Sequence, residues 1–284
     1  MADALYELRN YYYIGAYQQC AKEAQKTNVK TDRERLEKDV FLFRAYIALG
    51  KSSVVLSEIS ADVKEDVMKA VRLLGLYKSQ TSKERVVVQV EELANNTVDD
   101  LALVILGSIL LSDNKHEEAY KVLKRADLLE ARALTIQTLL AINRFDLALK
   151  NLKQMQEVDE DATLTQLALA WLYISNGKEK LQDAFYIYQE MIDKFGATAD
   201  LLVSQSAVKI LKNEIPEAEN LLQLAEEKDS GSAAVLINQF LVSSVLHKND
   251  DVLSRILTQL KAEHSDLAWV KSYLEKEQLF DELD

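Results

Sequence analysis

A short polar turn followed by a small residue returns along this chain at a nearly constant interval. IGAYQQC (14–20), DNKHEEA (113–119), INRFDLA (142–148) and KNEIPEA (212–218) superpose on one another, each ending on the small residue that opens a helix's packing face. Taking that slot as Cys20, Val55, Ala119, Ala148, Ala184, Ala218 and Leu253, the steps are 35, 64, 29, 36, 34 and 35 residues, and 64 is about two of the others. A period of this size means a unit that cannot bury its apolar face alone and does so by stacking on its neighbours. With seven glycines and one proline in 284 residues, the chain lacks the turn residues of a β architecture, so the stacked units are helix pairs.

The hydrophobic periodicity places these pairs. Helices are expected over Asp3–Tyr13 and Gln18–Lys26. Another starts at Thr31, where Thr31 with Glu34 forms a capping-box signal, and runs through Leu36, Val40, Phe43 and Ile47 to Ala48, stopped by Gly50. Val54–Ile59 returns. The third pair, Val63–Tyr77 and a helix from a Thr81/Glu84 cap to Ala94, contains RVVVQV, which locally favours strand but reads as helix between helical neighbours. Pairs follow at Asp99–Leu111 with Glu117–Leu129, Ala131–Ile142 with Asp146–Glu157, and two helices within Asp159–Phe195 around Asn176-Gly177. Asp200–Leu211 pairs with Pro216–Glu227, and Ser232–Leu246 with Asp251–Ala262. Pro216 falls in a first helical turn, where its missing N–H costs little. Asp266–Leu279 is a last helix with a polar outer end. The period and the helix–turn–helix unit match the tetratricopeptide repeat (TPR). The match is degenerate: Gly107 supplies the small residue of a first helix, Phe43, Ile136, Ala170 and Ser206 stand in that place elsewhere, and the usual Trp, most turn glycines and the closing Pro are missing. The expected fold is all-α, a right-handed α-solenoid of about eight TPR-like repeats plus a C-terminal capping helix, as one domain over 1–284.

Chemistry finds little footing. His116, His247 and His264 have no second ligand at metal spacing. Cys20 occupies a packing slot, and as the sole cysteine it forms no internal disulfide framework. Asp159-Glu160-Asp161 reads as the acidic start of a helix, favoured by the helix dipole. No Gly-rich phosphate loop or H-E-x-x-H occurs, so neither catalytic residue nor cofactor nor metal is expected. The net charge of −12 disfavours nucleic acid and anionic membrane as direct partners, since both call for clustered Lys and Arg. MADALYELRN is acidic and lacks an apolar run, so no signal peptide is expected. The longest apolar stretch, near Leu101–Leu111, is too short to span a bilayer, so no direct membrane insertion is expected.

The first helices of the pairs should line the concave side of the array. Their inward positions are Val40, Arg44 and Ile47 in the second pair and Leu101, Val104, Ser108 and Leu111 in the fourth. Leu164, Leu167, Trp171 and Ile174 stand there in the sixth, and Asp200, Val203, Ala207 and Ile210 in the seventh. Apart from Arg44, Ser108 and Asp200 these are apolar. An apolar face of that extent is unusual on a free monomer. Either the superhelix is so tight that its faces pack on each other, or another polypeptide fills the channel. The partner reading is adopted, with Val40, Arg44, Ile47, Leu101, Val104, Leu111, Leu164, Leu167, Trp171, Ile174, Val203, Ala207 and Ile210 as its contacts. It expects Trp171→Asp with Leu167→Asp to abolish binding while helicity is kept.

The runs YYIGAYQQC (12–20), KDVFLFRAYIALGK (38–51), DEDATLTQLALAWLYISNGKEKLQDAFYIYQEM (159–191) and EKDSG (227–231), in this order and at these separations, closely resemble the epsilon subunit of coatomer. The similarity covers essentially the whole chain, strongest in 159–191 and weakest around 79–130. It implies a non-enzymatic subunit of a heteromeric coat, whose TPR-type superhelix curls around a projecting segment of the C-terminal domain of the coatomer alpha subunit. It also implies a cytoplasmic place, peripheral on Golgi membranes and on vesicles moving within the Golgi and back to the endoplasmic reticulum. The alternative is a generic TPR adaptor or co-chaperone holding a peptide in its concave groove. A clamp for acidic tails needs Lys or Arg on that face, and Arg44 is the main one present.

Overall fold

The computed structural model describes residues 3–79 and 82–282. Among them are seventeen α-helices and no strand. The chain divides into two compact units, residues 1–176 and 177–284, and the division falls in the turn between the two helices of Asp159–Phe195.

Unit 1 holds five complete pairs and one further helix. The pairs are α1 (Tyr6–Tyr13) with α2 (Tyr17–Lys26), α3 (Asp32–Ala48) with α4 (Ser52–Glu58), and α5 (Asp66–Lys78) with α6 (Lys83–Asn96). Then come α7 (Asp100–Ser112) with α8 (His116–Leu123), α9 (Leu129–Ala141) with α10 (Phe145–Val158), and finally α11 (Thr163–Asn176). Unit 2 comprises α12 (Lys180–Phe195), α13 (Ala199–Leu211), α14 (Ile215–Lys228), α15 (Ala233–Val245), α16 (Asp250–Glu263) and α17 (Ala268–Asp281). The RVVVQV run is helical within α6, because Val86, Val87 and Val90 gain more from burial in the core than β-branching costs a helix.

Left-handed backbone marks the turn of every pair. The residues are Gly15, Gly50, Ser82, Asn114, Asn143, Gly177 with Lys178, Asn213 and His247. Six of these turns share one bonding scheme. In the first, Ala16 N donates to Tyr11 O at 2.8 Å and Gly15 N to Tyr12 O at 3.2 Å; in the seventh, Glu214 N donates to Lys209 O and Asn213 N to Ile210 O, both at 2.9 Å. This is the Schellman closure of a helix C-terminus, which needs one left-handed residue and satisfies two orphan carbonyls. Ser82 supplies the turn that the irregular third pair hides, and Val87, five residues on and buried, takes the packing slot. The step of 64 therefore resolves into two of 32.

Local signals act as their chemistry predicts. The Thr31 hydroxyl accepts from Glu34 N at 3.2 Å while the Glu34 carboxylate accepts from Thr31 N at 3.0 Å, completing a capping box. These bonds hold the Glu34 carboxyl below its usual range. Thr81 lies outside the described residues. Pro216 sits in the first turn of α14. At Gly107 of α7 a Cβ would meet Leu123 Cδ2 at 2.5 Å and Cγ at 2.6 Å, so α8 can approach only a glycine there. The largest departure from the expected bounds is α8, which stops at Leu123 rather than Leu129. Just beyond, Arg125 donates to Ala94 O and Thr97 O, each at 2.6 Å, pinning the connection to the end of α6 instead of continuing the helix.

The first helices of unit 1 pack in sequence, α1 on α3, α3 on α5, α5 on α7, α7 on α9 and α9 on α11, and α1 also packs on α11. They form a closed ring. Most of it is one continuous apolar core running from Val40 to Ala131.

Candidate partner interface

Seven of the thirteen expected contacts are covered by the chain's own packing. Val40, Arg44 and Ile47 of α3, Val104 of α7, Leu164 and Leu167 of α11, and Val203 of α13 are buried. Leu101 and Leu111 of α7, Trp171 and Ile174 of α11, and Ala207 and Ile210 of α13 keep part of their surface. For the buried group, apolarity has its explanation inside each unit. Leu167 is 6 % exposed, so Leu167→Asp would place a charge in a core and unfold α11's surroundings rather than report on binding.

Arg44 shows why unit 1 turns inward. Its guanidinium meets Glu130 of α9, Nη1 donating to Oε2 at 3.1 Å and Nη2 to Oε1, with both side chains buried. It lies 4.3 Å from the Tyr12 ring centroid and 5.2 Å from that of Phe41, while Tyr13 Oη donates to Glu130 Oε2 at 3.5 Å. Burial works against the Arg44 charge, but the facing Glu130 carboxylate outweighs it and the net shift is upward. Burial, reinforced by Glu130, pushes the Tyr13 hydroxyl well above its ordinary range. The one cation of the expected concave face is thus engaged within the fold and cannot serve as a carboxylate clamp.

Unit 2 presents a different inner face. Counting back from the left-handed residues Asn213 and His247, the positions two and six residues earlier are Leu211 and Ala207 on α13, Val245 and Leu241 on α15. Leu211 is 55 % exposed, Leu241 41 % and Val245 50 %. α13 and α15 pack side by side, and α15 carries no charged residue, so the same register positions on two neighbouring helices hold apolar side chains with surface open to solvent. Of the four, only Ala207 was expected from helix spacing alone; the turn residue is the ruler that finds the others.

The remaining candidates for chemistry are structural. Cys20 is fully buried between α2 and α3, its Sγ 4.0 Å from Phe41 O, and burial pushes its thiol up to about 12. A His264 ring nitrogen lies 2.8 Å from Gly231 O. His247 is exposed and forms a turn, and His116 is half-buried at the start of α8. Among the described residues no group of three His, Cys, Asp or Glu is arranged to hold a metal, and no helix is long and apolar enough to cross a membrane.

Fold and face together define a TPR-like α-solenoid with exposed apolar side chains on two neighbouring helices. The solved structures it resembles share that fold. A tetratricopeptide repeat protein from Parabacteroides merdae superposes with a TM-score of 0.61 at 10 % identity, over 92 % of this chain and 98 % of that one. A chain of an APC/C hetero-tetramer superposes with a TM-score of 0.61 at 12 % identity, over 92 % of this chain and 52 % of the other. A sequence profile of the coatomer epsilon subunit matches residues 1–284, and the chain belongs to that family. It is 39 % identical to coatomer subunit epsilon of Caenorhabditis elegans across 99 % of this chain and 97 % of the relative. With coatomer subunit epsilon-1 of Arabidopsis thaliana it shares 35 % identity, across 98 % and 95 %. Membership makes it a structural subunit of a heteromeric coat complex, in vesicle transport, and not an enzyme.

Proposed function

We propose that this protein holds the C-terminal domain of the coatomer alpha subunit, stabilising it within the coat of vesicles that move inside the Golgi and back to the endoplasmic reticulum. It acts from the cytoplasm, peripheral on Golgi membranes. The observation that carries the reading is the open apolar row of Ala207, Leu211, Leu241 and Val245, continued on α13 by Ile210. Water-exposed leucine and valine in register on adjacent helices cost solubility unless a partner covers them. The half-exposed Leu101, Leu111, Trp171 and Ile174 of unit 1 offer further contacts. The adaptor or co-chaperone alternative loses its support, because Arg44 is paired with Glu130. Co-expression with a C-terminal fragment of the alpha subunit tests the proposal: the two should co-purify through size exclusion as one complex. Recovery of this chain alone, or with chaperones in place of the fragment, would refute it.

A further inference from the structure

The ring of unit 1 is closed in two chemically different ways. From α3 through α5 and α7 to α9 the join is the continuous apolar core. The other join, between the small N-terminal cluster of α1–α3 (Leu8, Cys20, Ala24, Phe41, Ala45) and the α9–α11 cluster (Ala133, Ile136, Ala168, Leu172), is bridged by the Tyr13 ring, which packs on both, and by polar groups. Arg44 of α3 and Tyr13 of α1 converge on Glu130 of α9. Two buried donors on the N-terminal side lack a hydrogen-bond partner in the protein, Arg44 Nε and Asn10 Nδ2. Asn10 and Tyr13, three residues apart, share a face of α1, whereas Leu5, Leu8 and Tyr12 hold the face toward the N-terminal cluster.

We propose that this seam is a clasp: unit 1 is a split ring that opens between α1/α3 and α9/α11 while its apolar side stays folded. The physical reason is a difference in what opening costs. Parting the apolar side exposes a large dry core. Parting the seam rehydrates an arginine, a carboxylate and two unmatched donors, each of which recovers hydrogen bonds in water that the closed state denies or only partly replaces. Sub-global opening of this kind follows the weakest interface of a fold. Opening uncovers Arg44, Asn10 and Tyr13 together, a surface that offers hydrogen-bond donors beside an aromatic ring. The clasp belongs to the free chain and does not depend on the partner proposed above.

Thiol labelling of the full chain reads the opening directly. In a Cys20→Ala background, Asn10→Cys places a buried thiol at the seam and Val104→Cys places one in the continuous core, both sites being buried in the closed state. Asn10→Cys should label at least about tenfold faster than Val104→Cys. Adding Glu130→Gln, which leaves Arg44 without its counter-charge in the closed state, should speed labelling at Asn10→Cys by about 100-fold or more. The apolar replacement Arg44→Met with Glu130→Met should slow Asn10→Cys labelling. Equal rates at the two cysteines, no acceleration of Asn10→Cys by Glu130→Gln, or no slowing by the Met pair would overturn the clasp.

Discussion

Unit 1 and unit 2 are made of the same helix pairs, closed by the same left-handed turns, yet they place their apolar residues at different positions of the repeat. In unit 1 six first helices complete a ring, so inward residues such as Val40, Ile47 and Val104 meet one another and disappear from the surface. Two residues before the left-handed turn, unit 1 leaves the small Ala48, Ser112 and Ala141 in water, whereas unit 2 leaves Leu211 and Val245 there, with Leu241 one turn earlier. Charge divides the same way. Lys and Arg number 23 against 26 Asp and Glu in residues 1–176, and 11 against 20 in 177–284, giving −3 and −9. An apolar residue on a first helix therefore does not itself signal a partner; what decides is whether it stands at a position that the packing leaves in water.

The largest expected effect probes the closed side. Glu130→Ala strands Arg44 without its counter-charge and should cost about 3–5 kcal/mol of unit 1 stability by denaturant unfolding. Glu219→Ala in unit 2 removes the partner of the more exposed Lys248 and should cost no more than about 1 kcal/mol. Equal losses would erase the distinction between the units.

Next comes Gly107→Ala. Overpacking against buried Leu123 costs about 1–3 kcal/mol, offset by about 0.5–1 kcal/mol of helix propensity. The thermal midpoint should fall; a rise would show that α8 can retreat. Smaller still is Cys20→Ala, since alanine fills the same slot at positions 119, 148, 184 and 218, with a loss of about 1 kcal/mol. The native thiol, held protonated until pH approaches 12, should resist alkylation at a pH of about 8, where even an ordinary thiol is partly ionised. It should label fully only after unfolding, as mass spectrometry will read.

Much of this organisation is legible in the residues. The period, the helix boundaries near each turn and the close approach at Gly107 follow from small residues and caps whose physics is local. The third pair is obscured because serine, neither Gly nor Asn, takes its left-handed turn, and because three valines in a row imitate a strand. The Arg44–Glu130 pair could not be read, since its members are 86 residues apart and nothing local distinguishes an arginine turned inward from one facing a groove. The open row of unit 2 was half visible. Ile210 and Ala207 follow from helix spacing, but Leu211, Leu241 and Val245 emerge only when the turn residue, rather than the helix start, sets the count.

The smallest effect on stability and the most direct test fall on the same variant. Leu211→Asp with Leu241→Asp alters two solvent-exposed side chains and should change the unfolding free energy by about 0.5 kcal/mol or less at each site. Calorimetric titration of the full chain with a C-terminal fragment of the alpha subunit should show affinity reduced by about 30-fold or more, the loss of a central apolar contact, at an unchanged melting temperature. Wild-type affinity in that variant would contradict the account, because the open face of unit 2 would then not be where the partner binds.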